Sequence, residues 1–167
     1  METQKQNLYI LEENTLSSAS LMNFLNKRFN DSLNISIFID GDSLLKKINA
    51  DTAIVILDYD LKGEQTDKLL IDIKKINSIT EVIVLSSDDE IGTAIDAYRK
   101  GAKSFVVKGK NDLKRIRSLV YRIIYYPVKI IQRFFGFKEL IAIFIVEVFY
   151  IGLFVLLGFT VFYRNLN

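Results

Sequence analysis

Cysteine and histidine are both missing from this chain of 167 residues. Without cysteine there can be no disulfide, thiolate metal site or cysteine nucleophile. Without histidine the usual general base, most zinc sites and any phosphohistidine of its own are excluded. Proline occurs once, at Pro127, and the composition changes there. No low-complexity linker and no internal repeat interrupts the chain. No N-terminal signal peptide is expected, because residues 1–7 are polar and the first apolar run is short.

What is present is apolar material and an uneven charge. Half the residues are hydrophobic, enough for one ordinary domain plus an appendage. Residues 1–107 hold 12 basic and 17 acidic side chains, a net of −5. Residues 108–167 hold 10 basic and 3 acidic, a net of +7, so the two parts suit different surroundings.

Ile54-Val55-Ile56-Leu57 is a continuous branched apolar run that stops on Asp58. Such a run reads as a strand buried on both faces. Three similar short runs, Leu8–Leu11, Val82–Leu85 and Phe105–Val107, read as further strands, and so does Ile35–Ile39, where Ile35, Ile37 and Ile39 alternate with Ser36 and Phe38. Between them lie stretches of helical period. The first, from Asn14-Thr15, carries Leu16, Leu21, Phe24, Leu25 and Phe29. The second, capped by Gly41-Asp42-Ser43, carries Leu44, Leu45 and Ile48. The third, from Asp67 to Asn77, has Leu69, Leu70, Ile73 and Ile76 as its stripe. The fourth holds Ile91, Ala94, Ile95, Ala97 and Tyr98 and stops at Lys100-Gly101. The fifth begins near Asn111-Asp112 and carries Leu113, Ile116, Val120 and Ile123. Alternation of this kind predicts an α/β fold, a parallel five-stranded sheet in a three-layer sandwich.

In an open parallel sheet the ligand site lies beyond the carboxyl ends of the strands. Four of the five strands end in residues suited to phosphate chemistry: Glu12 and Glu13, Asp58, Ser86 and Lys108. A carboxylate that accepts a phosphoryl group is an anion attacking an anion, so it needs a divalent cation. Mg²⁺ prefers carboxylate and carbonyl oxygens plus water. Glu12, Glu13, Asp58 and the backbone carbonyl of Asp60 could supply them. Lys108 would pair with Asp58 and the Ser86 hydroxyl would donate to the phosphoryl oxygens. Each residue also has a plain reading, as solvated loop charge, turn cap or surface lysine.

The segments Leu8–Glu13, Val55–Gly63, Val82–Ser87 and Lys100–Lys108 resemble the receiver domain of bacterial two-component response regulators, from about Asn7 to Tyr126. The resemblance implies the flavodoxin-like (βα)5 fold, a phosphoacceptor at Asp58 and Mg²⁺ on the acidic cluster. It also implies a histidine kinase or phosphotransfer protein as donor. Ser86 matches the family's switch hydroxyl and Phe105 its switch aromatic, although Phe105 also reads as a plain core residue. Three positions depart from the family pattern. The acidic pair is Glu12-Glu13, each with a methylene more than Asp. Lys62 stands where the family has Pro after the acceptor. Gly109 replaces the Pro that follows the lysine.

Beyond Pro127 the reading changes to membrane chemistry. Residues 127–139 form a basic amphipathic stretch suited to a lipid surface, or to an extension of the fifth helix. Residues 140–163 run 24 positions with one charge, Glu147. As a helix they span roughly 36 Å, enough for one transmembrane pass. Seven basic residues from Lys114 to Lys138 precede that span and only Arg164 follows it. The positive-inside rule therefore puts residues 7–126 in the cytoplasm of a single-pass protein of the inner membrane. Glu147 implies a helix–helix contact, with itself or another membrane protein, or a proton or ion site. Snorkelling to the headgroups is the plain alternative. Nothing resembling a DNA-reading domain follows, so no nucleic acid is expected as a partner.

The functional expectation is a membrane-anchored single-domain response regulator, not an enzyme, phosphorylated on Asp58 and acting through a membrane partner. The alternative is a scaffold subunit that keeps the fold and docks without phosphorylation.

Overall fold

The computed structural model describes residues 5–61, 65–126 and 147–152. The chain divides into two compact units, Met1–Ile124 and Tyr125–Asn167. The first contains β1 (Gln6–Leu11), α1 (Thr15–Phe29), β2 (Leu33–Phe38), α2 (Gly41–Leu45) and β3 (Thr52–Asp58). It continues with α3 (Thr66–Ile76), β4 (Glu81–Ser86), α4 (Ile91–Arg99) and β5 (Ser104–Val107). A further helix, α5, occupies residues 112–126. In the second unit residues 147–152 are helical.

All five strands pair in parallel, in the order β2-β1-β3-β4-β5. The central strand is β3, and Ile54, Val55, Ile56 and Leu57 are fully buried, as a run without polar interruption demands. Each such side chain gains about 2 kcal/mol by leaving water. Alternate residues serve opposite faces of the sheet. Tyr9, Leu11, Val55, Leu57, Val82, Val84 and Phe105 share one buried cluster with Leu44 of α2, Leu69, Leu70 and Ile73 of α3, and Ala97 of α4. On the other face α1 buries Leu21, Leu25 and Phe29, and α5 buries Ile116 and Val120. Two cation–π contacts tie α1 to α5. The Arg117 guanidinium lies 5.2 Å from the Phe24 ring centre, and that of Arg28 lies 5.9 Å from Tyr121.

Local chemistry sets the ends of these elements. The Asn14 side chain caps α1, accepting from the Leu16 and Ser17 amides at 3.1 Å. Asp40, rather than Gly41, caps α2 by accepting from the Ser43 amide at 2.8 Å. Gly101 ends α4 in the left-handed region, at φ 106°. A side chain there would also crowd the Lys74 side chain, whose Cγ lies 3.0 Å from the added Cβ.

Several apolar residues expected to face the core do not. Leu16, Ile39, Ile76, Ile91, Ile95 and Tyr98 are all exposed. A helix laid on a sheet buries one stripe, and α4 buries only Ala97 fully. Among the described residues no helix is long and apolar enough to cross a membrane. The expected amphipathic stretch 127–139 and transmembrane helix 140–163 lie outside the described residues, apart from 147–152. So does Lys62.

Candidate functional site

The strand order reverses direction between β1 and β3, the place where an open parallel sheet leaves a crevice. Glu12 follows β1 and Asp58 ends β3, so the two acids leave the sheet side by side. Ser86 ends β4, and the Lys108 amide continues the ladder by donating to the Ser86 carbonyl at 2.8 Å. The neighbouring strand ends thus deliver two acids, a hydroxyl and an ammonium to one edge.

Asp58 is 4 % exposed. Its Oδ1 accepts from Lys108 Nζ at 2.6 Å and from the Asp60 amide at 3.0 Å. A charge-assisted bond this short, to a nearly buried carboxylate, is among the stronger contacts a fold can hold. Glu12 is also buried, with Oε1 accepting from the Asn14 amide at 3.0 Å and Oε2 at 4.0 Å from Lys108 Nζ. Burial raises the Glu12 pKa. The Asn14 amide and Lys108 oppose that, while the Asp58 carboxylate beside it adds to the rise.

Asp60 completes the arrangement. Its Oδ1 accepts from the Ser86 hydroxyl at 2.9 Å. Its Oδ2 accepts from the Ser87 amide at 2.7 Å and lies 3.1 Å from Lys108 Nζ. Burial alone would raise its pKa, but the bonds from Ser87, Ser86 and Lys108 outweigh it and hold the carboxyl below its ordinary range. Lys108 has the mirror-image balance. Burial pulls its pKa down, and the pairs with Asp58 and Asp60 more than restore it.

The structure therefore brings together Glu12, Asp58, Ser86 and Lys108. Glu13 is exposed and makes none of the site's hydrogen bonds. Successive residues leaving a strand point opposite ways, and here Glu12 takes the inward place. Phe105 is buried in the core cluster with Val84, Ala97 and Ala102, and its amide donates to the Tyr98 hydroxyl at 3.2 Å. Glu147 is exposed on its helical segment. The residue that sequence reasoning undervalued is Asp60, assigned only a backbone carbonyl. The available signal was a second carboxylate two positions after Asp58, on the same turn.

The Glu12 result fixes a pH dependence. A carboxyl whose folded pKa is raised above its ordinary value of 4.5 adds stability only below that value. The contribution is lost as pH rises through the folded pKa. Glu12→Gln, which imitates the protonated form, should melt a few degrees above the parent at pH 7 and level with it near pH 4. Thermal scans at both pH values check this, and a variant less stable at pH 7 would contradict it.

Comparison with known proteins agrees with this fold. A family profile described as "Response regulator receiver domain" matches residues 8–120. No curated protein sequence matches the chain. Among solved structures, the signal receiver domain of a putative Luxo repressor protein from Vibrio parahaemolyticus superposes with a TM-score of 0.65 at 18 % identity. That match covers 74 % of this chain and 92 % of the other. A CheY-like receiver domain protein from Methanospirillum hungatei gives 0.61 at 15 % identity, covering 72 % and 94 %. A response regulator from Burkholderia pseudomallei, solved with a phosphorylated aspartic acid, a calcium ion and citrate, gives 0.60 at 17 % identity, covering 80 % and 75 %. At these identities the structural likeness is one of fold.

Proposed function

The chain belongs to the response regulator receiver domain family, and from that premise we propose that Asp58 accepts a phosphoryl group from a histidine kinase or phosphotransfer protein. The observation that carries the proposal is the 2.6 Å bond from Lys108 to a nearly buried Asp58 at the end of the central strand. Both nitrogen donors fall on Oδ1. Oδ2 takes neither of them and would be the oxygen that attacks phosphorus. The new bond is Oδ2–P, the bond broken is P–N of the donor's phosphohistidine, and the imidazole leaves with the electron pair. The product is an acyl phosphate whose added charge meets Lys108 and the strand-end donors. The phosphorylated aspartic acid of the Burkholderia pseudomallei protein is consistent with this chemistry on the same fold.

Mg²⁺ is the cation the reading implies. Among the described residues no three metal-ligating acids stand close enough to cage an ion by themselves. Mg²⁺ commonly needs only one or two carboxylates, with waters. Glu12 beside Asp58 fits that need: burial first, and then the neighbouring Asp58 carboxylate, raise the Glu12 pKa, and a dication would offset both. The Asp60 carbonyl would be a further ligand. When bound, the ion would neutralise the oxygens of the incoming phosphoryl group.

The test is phosphorylation by a small acyl-phosphate donor with Mg²⁺, compared between the parent and Asp58→Asn. The exposed Glu13 favours a second reading, a docking module that works without phosphorylation, and the same assay separates the two.

We further propose that the C-terminal segment tethers this switch to the inner membrane, with the receiver in the cytoplasm and a membrane protein or a second copy as partner. The sequence of residues 140–163 supports this. So do Val148, Phe149, Tyr150 and Ile151, consecutive and exposed around a whole helical turn. The tether would raise the effective concentration of the switch at a membrane partner. In cell fractionation the full chain should stay in the membrane pellet through high salt and alkaline carbonate. Recovery in the supernatant would rule the tether out.

A further inference from the structure

Three donors at the strand ends converge on one side chain, and it is not Asp58. The Ser86 hydroxyl, the Ser87 amide and the Lys108 ammonium all reach the Asp60 carboxylate, at 2.9, 2.7 and 3.1 Å. Asp60 lies two residues after the acceptor, and its own amide holds Asp58 Oδ1 at 3.0 Å. Lys108 bridges the two carboxylates, 2.6 Å from Asp58 and 3.1 Å from Asp60. A phosphoryl group on Asp58 would bring about two negative charges and three acceptor oxygens into the same corner. Its nearest donors from β4 and β5 are the ones that Asp60 already holds.

We propose that Asp60 is a resident anion of the phosphoryl pocket, an internal competitor that must release Ser86, Ser87 and Lys108 before a phosphoryl group on Asp58 can be held. The inference rests on Asp58 being the phosphoacceptor, and it concerns how that site is regulated. Asp60 satisfies the donors in the unmodified protein, so the pocket does not stand open with unpaired groups. It also sets a threshold. Phosphorylation must displace an ion pair and two hydrogen bonds, and the displaced carboxylate, about a third exposed, can turn into water. Occupancy and lifetime of the phosphorylated form are therefore held down by one side chain.

The probe is beryllofluoride with excess Mg²⁺, titrated into the full chain and followed by tyrosine fluorescence and by protection against thermal unfolding. Parent, Asp60→Asn, Asp60→Ala, Asp89→Asn and Asp58→Asn are compared. Asp60→Asn and Asp60→Ala should each bind roughly tenfold more tightly than the parent. Two substitutions guard against a single misfolded variant. Asp89→Asn removes an exposed charge from the neighbouring β4–α4 loop without touching these donors. It should shift affinity by less than about twofold. Equal affinity of parent and Asp60 variants, with binding still dependent on Asp58, would overturn the competitor role and leave the phosphoacceptor reading standing. Equal tightening by Asp89→Asn would overturn it too, by reducing the effect to net charge. Absence of binding in every variant would overturn the phosphoacceptor reading and this inference with it.

Discussion

Phosphoryl incorporation into the parent chain, supplied with Mg²⁺ and a small acyl-phosphate donor, should be measurable and should vanish in Asp58→Asn. The loss is expected to be complete because an amide lacks the anionic oxygen that attacks phosphorus. No other described carboxylate combines burial with a bond to Lys108 as short as 2.6 Å. The substitution should leave the fold intact, since the asparagine side chain keeps an oxygen to accept from the Asp60 amide and Lys108. Intact-mass measurement reads the gain of one phosphoryl group, and hydroxylamine should remove it, as it removes acyl phosphates. Labelling of Asp58→Asn to the parent level would place the acceptor elsewhere. A parent that takes no label would favour the phosphorylation-independent docking module.

The largest stability effect should come from Lys108→Met. Methionine keeps most of the aliphatic stem and deletes the charge, so packing is little disturbed. What remains is a group of three carboxylates, Glu12, Asp58 and Asp60, with no cation among them. Breaking a fully buried ion pair costs about 3–5 kcal/mol. The Lys108 side chain is 29 % exposed, so solvent screening reduces this to about 2–3 kcal/mol. In a chain of this size the melting midpoint would fall by about 5–10 °C at pH 7. Lys108 has a folded pKa raised above its ordinary 10.5, so its contribution is fully present at pH 7 and lost only as pH rises through the folded value. In the variant the unpaired acids can instead take up protons, and the deficit should shrink between pH 7 and pH 4. A deficit equal at both pH values would assign the loss to packing of the stem.

The two variants probe different parts of one arrangement. Asp58 supplies the oxygen proposed to react, while Lys108 makes it possible to keep three acids in one small space. A site of this kind is metastable by construction: like charges are gathered and one ammonium holds them. Adding or removing charge there changes the balance by more than it would on an open surface.

Much of this was legible along the chain because it is local. Runs such as Ile54–Leu57 are short, branched and without a polar position, which suits strands covered on both faces, and alternation with helical stripes leaves a parallel sheet as the way to bury them. An open parallel sheet then puts Glu12, Asp58, Ser86 and Lys108 at one edge by topology alone. Other features were not local. Glu12 and Glu13 are equivalent in sequence, and only the direction in which the chain leaves β1 turns one inward. Leu16, Ile91 and Ile95 fit the helical period, yet each helix meets the sheet along one stripe too narrow for them all.

Asp60 marks the boundary most clearly. Its carboxylate has partners from β4 and β5, 26 to 48 positions further along the chain. No pattern in the sequence encodes those distances. Residue order by itself determined the sheet, its buried central strand and the acid at its tip. The tertiary structure alone decided which neighbouring acid shares the pocket, because that depends on strand register and side-chain direction at a point where three separate strands end.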